Sequence, residues 1–235
     1  MFYTCFILFI LYSIIGWLLE VLLSLYEHKR FINRGFLIGP YCPIYGAGSV
    51  LLTLLLSNHE DNIIVLFILS MVICAILEYF ASYILEKIFK LRWWDYTDMK
   101  YNINGRICLE TMIVFGFFGV ILIKITNPFF LSILNHFNSN TLAIIAIILM
   151  SIFIIDIIIS SNVVFNLKSI TRNTSKDSTE EISKAIRKFI HNNLFMYNRI
   201  IKAFPHLTII NKKKKGKKVK KKINNNQNKS KKKKI

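Results

Sequence analysis

Charge is scarce through most of this sequence. Residues 1–167 hold nine Lys/Arg and ten Asp/Glu, a net of −1, whereas residues 168–235 hold twenty-two against three, a net of +19. The overall +18 therefore belongs to the C-terminal region, and the rest is almost neutral. The four cysteines (Cys5, Cys42, Cys74, Cys108) show no C-x-x-C spacing, which argues against a metal or disulfide framework and reads as free thiols packed like small hydrophobes. The five histidines, His28, His59, His136, His191 and His206, fall outside the apolar runs and form no metal-ligand pair. No G-x-x-x-x-G-K-[ST] phosphate loop is present, so any ATPase is expected on a separate subunit. No serine lies in a nucleophile motif. The N-terminus lacks a basic n-region and a small-residue cleavage site, and is read as a span rather than a signal peptide.

What the sequence does have is long apolar runs: 2–25, 36–57, 63–85, 107–123 and 141–165. Each reaches or approaches the roughly 20 residues that cross a ~30 Å hydrocarbon core. The expected fold is all-α, a polytopic membrane helical bundle of about five transmembrane helices over 1–167. A cytoplasmic amphipathic segment (168–210) and a disordered lysine-rich tail (211–235) follow. Lys/Arg are abundant in alternate connections, so the positive-inside rule puts the N-terminus outside and the C-terminus in the cytoplasm. Over 178–204 apolar residues recur at helical spacing behind the Ser178/Glu181 capping signature, and Pro205 ends the pattern. Such a helix suits a membrane interface. The fourteen lysines from Lys212 onward suit anionic lipid, whereas nucleic acid is disfavoured because no aromatics interleave for stacking.

The run 36–57 is the most unusual. Pro40 and Pro43 each remove a backbone donor, and Gly35, Gly39, Gly46 and Gly48 surround them. A helix starting near Pro43 is too short to cross alone, at about 22 Å, so the remainder must be extended or broken chain covered by protein or a water-filled cavity. Within the spans only Glu20, Glu78, Glu110 and Asp156 are acidic, all nearer one face. An ionisable residue at membrane depth costs roughly 2.5–3.5 kcal/mol and usually faces the bundle interior. Glu20 shares a stripe with Ser13, Gly16 and Ser24, and Glu78 with Cys74 and Ser82. The expected cationic partners are Arg30, Arg34, Arg92 and Arg106. In the connection 86–106, Arg92-Trp93-Trp94-Asp95-Tyr96 combines belt aromatics with an acid, and Asn104-Gly105-Arg106 has turn chemistry. This connection is expected to cap a polar cluster of Glu20, Arg34, Gly39, Pro40, Pro43, Glu78, Arg92, Trp94, Asp95, Asn104, Arg106, Glu110 and Asp156.

Several of these segments resemble one family. Asn33-Arg34-Gly35-Phe36-Leu37, Gly39-Pro40, Pro43-Ile44-Tyr45-Gly46, Gly16-Trp17-Leu18-Leu19-Glu20, Leu77-Glu78-Tyr79, Arg92-Trp93-Trp94-Asp95-Tyr96 and Asn104-Gly105-Arg106 are similar to the bacterial membrane family labelled putative ABC-transporter type IV, or putative ABC transporter permease. The likeness covers roughly residues 1–125. It implies an integral inner-membrane protein of permease type and brings no catalytic residues. Three function classes follow: a transporter subunit, a membrane-embedded enzyme on a lipid-linked or amphiphilic substrate, and a regulatory or scaffold protein. The transporter reading is adopted, with no cofactor, no substrate assigned and a homo-oligomer expected, because five spans are few for a stand-alone transporter.

The charge alternation makes the topology testable. In a chain freed of its four native cysteines, a cysteine at position 60 should react with an impermeant thiol reagent outside intact cells. One at position 98 should be protected; its labelling from outside would overturn the orientation.

Overall fold

The computed structural model describes residues 1–173, except 30, 32, 34, 36, 58–60 and 90, together with residues 208–209. Six α-helices follow in order: α1 (Phe2–His28), α2 (Pro43–Leu56), α3 (Ile63–Phe89), α4 (Leu109–Ile121), α5 (Asn127–Leu134) and α6 (Ser139–Asn173). A π-helical turn, Leu122–Thr126, joins α4 to α5, so the two form one continuous apolar rod from Leu109 to Leu134. Among the described residues four rods are long and apolar enough to cross a membrane, and α2 is a shorter apolar helix. Most large apolar side chains on these rods are exposed, as lipid-facing surfaces require, so this is a multi-pass membrane protein.

The broken second run is as its prolines dictate. Pro43 occupies the first turn of α2, where its missing N–H is not needed. The helix has 14 residues, about 21 Å. The preceding segment re-enters the bundle: the Cys42 N–H donates to the Ser13 carbonyl at 2.9 Å, and Ser13 is midway along α1. Ser13 lies about 22 Å below the end of α1 at His28, so non-helical chain covers half the depth that a full helix would.

The fourth apolar run, expected over 107–123, continues further: the π turn reorganises the backbone so that Pro128 opens α5 instead of interrupting a helix. Buried Asn127 secures this junction: its Oδ1 accepts from the Tyr12 hydroxyl at 2.9 Å, and its Nδ2 donates to Thr53 Oγ1 at 2.7 Å. One side chain thereby ties α1 and α2 to the π turn, as interhelical polar contacts in membranes do. Likewise α6 runs on to Asn173, past the expected end at 165. The amphipathic helix expected over 178–204 and the lysine tail lie outside the described residues.

Apolar and polar packing separate along the bundle. Ile7, Leu8, Tyr12, Leu134 and Ala146 form one buried apolar cluster, and Leu52, Leu56, Leu66 and Ile123 a second, both toward one end. At the other end lie short strands: β1 (Leu91–Arg92), β2 (Asn102–Ile103), β3 (Ile107–Cys108) and β4 (Thr208–Ile209). Strands β2 and β3 make an antiparallel hairpin, and β1 pairs antiparallel with β4, Leu91 opposite Ile209 and Arg92 opposite Thr208. The C-terminal region thus touches the cap formed by residues 91–108, a contact that composition could not reveal.

Helices α1 and α2 approach closely at Gly46, where an added Cβ would collide with the Phe9 carbonyl oxygen and Ser13 Oγ. At Gly48 the nearest atom to such a Cβ is Leu77 Cδ2, at an ordinary 3.5 Å. Gly46→Ala should therefore lower stability by about 1–3 kcal/mol through overpacking. Gly48→Ala should be neutral or gain up to about 1 kcal/mol. Thermal melting in detergent checks the pair, and equal effects would contradict this packing.

Candidate functional site

The re-entrant segment is held by Asp156. One turn before Ser160 on α6, its Oδ1 accepts from the Ile38 N–H at 3.0 Å and from Ser160 Oγ at 2.7 Å, and its Oδ2 accepts from the Gly39 N–H at 2.7 Å. The Tyr41 hydroxyl is a further hydrogen-bond partner. Consecutive amides that lack helical partners are thereby satisfied by one buried carboxylate. The carboxylate in turn gains donors that replace water. Gly39 lies under the Tyr41 ring with no room for a Cβ, and Pro40 is exposed beside it. Asp156, Gly39, Pro40 and Pro43 thus belong together, as anchor and turn of the re-entrant segment.

Two more carboxylates lie nearer the cap, each bound to a tyrosine. Tyr45 Oη donates to Glu20 Oε1 at 2.7 Å, and Tyr96 Oη donates to Glu78 Oε1 at 3.1 Å. Tyr96 is influenced electrostatically by both Glu78 and Glu20, so the two pairs lie near one another. Burial, and then the Glu78 carboxylate, push the Tyr96 phenol above its ordinary pKa, which keeps it a donor. Glu78 is 5% exposed, and its Oε2 accepts no hydrogen bond among the described residues.

The cap closes over this pocket because of its turn chemistry. Asn104 and Gly105 both have positive φ (54° and 65°), and the Arg106 N–H bonds the Ile103 carbonyl at 3.0 Å. This is the asparagine–glycine turn that matches strand twist in a hairpin. A Cβ on Gly105 would also lie 2.6 Å from Asp95 Oδ1. The turn presents Arg106 to one face of α3. Its Nη2 pairs with Glu86 Oε2 at 2.9 Å and its Nη1 donates to Ser82 Oγ at 3.0 Å. Its guanidinium lies over the Tyr79 and Tyr83 rings, 5.7 and 5.6 Å from their centroids. Arg92 reaches the same Glu86 oxygen at 3.2 Å and Asp95 at 3.4 Å. Trp94 Nε1 donates to the Arg106 carbonyl, and Asn104 Nδ2 to the Tyr79 hydroxyl.

The sequence-selected residues therefore sort into an anchor (Asp156, Gly39, Pro40, Pro43), a pocket (Glu20, Glu78) and a cap (Arg92, Trp94, Asp95, Asn104, Arg106). The pairing of carboxylates with arginines differs from expectation: among the described residues Arg92 and Arg106 bind Glu86 rather than Glu78 or Glu110. Glu86 was missed, although Cys74, Glu78, Ser82 and Glu86 recur every fourth residue and define one helix face. Tyr45, Tyr96 and Ser160 were also missed as partners. Glu110 stands apart, exposed in the first turn of α4, where a negative charge suits the helix dipole. Arg34 lies outside the described residues.

A multi-pass helical bundle with a re-entrant segment, two tyrosine-bound carboxylates and a clamped cap is an integral membrane protein. The family model described as Putative ABC-transporter type IV matches residues 7–161, and the chain belongs to that family. The match extends beyond the motif-bearing 1–125 and takes in Asp156. No curated protein and no solved structure matches the chain.

The anchor and Glu110 should respond oppositely to loss of charge. Asp156→Asn turns an amide donor toward an N–H and should cost about 2–3 kcal/mol. It should also speed hydrogen exchange at residues 38–39. Glu110→Gln should stay within about 0.5 kcal/mol of wild type. Detergent melting with exchange mass spectrometry reads both; an unaffected Asp156→Asn would refute the anchoring role.

Proposed function

We propose that this chain is a permease-type, membrane-spanning subunit of a transporter, with its solute pathway passing the Glu20/Glu78 pocket. The observation that carries the reading is a pair of tyrosine-bound carboxylates inside the bundle, between a re-entrant segment and a polar cap. Non-helical backbone at membrane depth is tolerated where it is covered by protein or lines a cavity, and broken helices place transporter sites in this way. Family membership supports the same reading.

With the positive-inside orientation, the N-terminus is outside and the cap faces the cytoplasm. The re-entrant segment and α2 together then make the fifth crossing. The basic region 168–235 would associate electrostatically with anionic lipid on the cytoplasmic face. Any nucleotide hydrolysis would come from a separate ATPase subunit, since the sequence carries no phosphate loop. A homo-oligomer would supply the further helices of a complete pathway.

The test requires no knowledge of the solute. Ser24 is fully buried on α1, one turn beyond Glu20 toward the cap. A single cysteine replacing Ser24, in a chain without the native cysteines, should react in oriented proteoliposomes with an impermeant thiol reagent applied from either face. Modification from the cap face alone, or from neither face, would rule out alternating access at this pocket.

A further inference from the structure

Glu78 has an arrangement that neither anchoring nor packing explains. It is 5% exposed, deep on α3, with one oxygen bound by Tyr96 and the other without a partner among the described residues. Asp156 has both oxygens saturated by donors, and Glu86 has two arginines. Arg106 passes one helical turn from Glu78, but its guanidinium contacts go to Ser82, Glu86 and two tyrosine rings.

We propose that Glu78 is an exchangeable proton-binding site, and that its proton is the coupling ion of the transport cycle; the coupling, though not the protonation, rests on the transport reading above. An ionised carboxylate with a dry, unbonded oxygen is costly, because burial of charge without pairing is penalised by several kcal/mol. A proton on Oε2 removes that charge while Oε1 keeps the Tyr96 bond. The step balances simply: a carboxylate and one proton from water give a carboxylic acid, and the reverse returns the proton, with no electrons moved.

A proton fits better than a metal ion. Metal ions require several converging oxygens, and among the described residues no group of three or more His, Cys, Asp or Glu could hold one. Cys74 lies one turn below Glu78 on α3, and Glu20 with Tyr45 stands across the pocket from α1 and α2. Cys108, at the N-cap of α4, lies near Tyr96. Glu20 is a second carboxylate, and the cap's Tyr96 hydroxyl donates to Glu78. Tyr96 belongs to the cap, so lifting the cap would remove that donor and admit water together, and the proton could then exchange.

Infrared spectroscopy of the full-length protein in lipid nanodiscs reads this directly. At neutral pH the wild type should show a protonated-carboxyl stretch, which Glu78→Gln abolishes and exchange of sodium for potassium leaves in place. Tyr96→Phe, which retains Glu78 and removes its donor, should raise the proton affinity about tenfold, shifting the band's titration upward by about one pH unit. Identical carboxyl bands in wild type and Glu78→Gln would overturn the proposal, as would an unshifted titration in Tyr96→Phe. Loss of the band on adding sodium at fixed pH would assign the site to a metal cation and overturn it too. The band with Ser24→Cys reactive from one face only would keep the proton site and defeat the transport reading.

Discussion

The contact between Asp156 and the Ile38 and Gly39 amides is the constraint on which the rest of the bundle depends. A membrane offers no water to satisfy a non-helical backbone, and Pro40 and Pro43 preclude a continuous helix. The chain resolves this by supplying, from a distant helix, a carboxylate that accepts both orphan N–H groups. Each side removes the other's desolvation penalty. Without Asp156 the amides would be stranded, and without the turn Asp156 would be a buried charge with Ser160 and Tyr41 alone. Only when the turn is fixed at the level of Ser13 can α2 begin there and bring Tyr45 to Glu20.

From that anchor the bundle divides into two regimes. Toward one end the rods are joined by apolar clusters and the Asn127 junction, with Gly46 allowing α1 and α2 to touch. Toward the other, hydrogen bonds and ion pairs dominate, nearly all converging on α3. Glu78, Tyr79, Ser82, Tyr83 and Glu86 lie on one face, and each contacts Tyr96, Asn104, Arg92 or Arg106. The cap is therefore registered against a single helix rather than spread over the bundle.

Much of this was legible in the residues, because the penalties involved are local. The prolines and glycines of 35–48 announced a broken second element and a helix start near Pro43, and α2 begins there. Asn104-Gly105 announced a turn, and their positive φ values provide one. Pairwise partners were not legible, since they depend on three-dimensional register. Glu110 resembles Glu78 in sequence context, yet it lies exposed in the first turn of α4 while Glu78 is buried within α3. Asn127-Pro128 carries the usual signature of a helix end. Only the π turn, stabilised by Tyr12 from far away in sequence, converts it into a continuation.

The different shielding of the three polar groupings also sets which can move. Asp156 is 7% exposed and tied through neutral donors that have no alternative partner in lipid, so releasing it would leave several bare groups at once. Glu86 keeps 20% side-chain exposure, as does Arg92, so water can replace their contacts as they separate. The Glu86–Arg92 edge is thus the more hydrated side of the cap, whereas Arg106, also 7% exposed, clamps it to α3. Tyr96 connects the two regimes: it belongs to the cap and bonds to Glu78, buried on α3. A motion of the cap alone therefore changes both the hydrogen bonding and the hydration of that one carboxylate while leaving the helix packing beneath it intact.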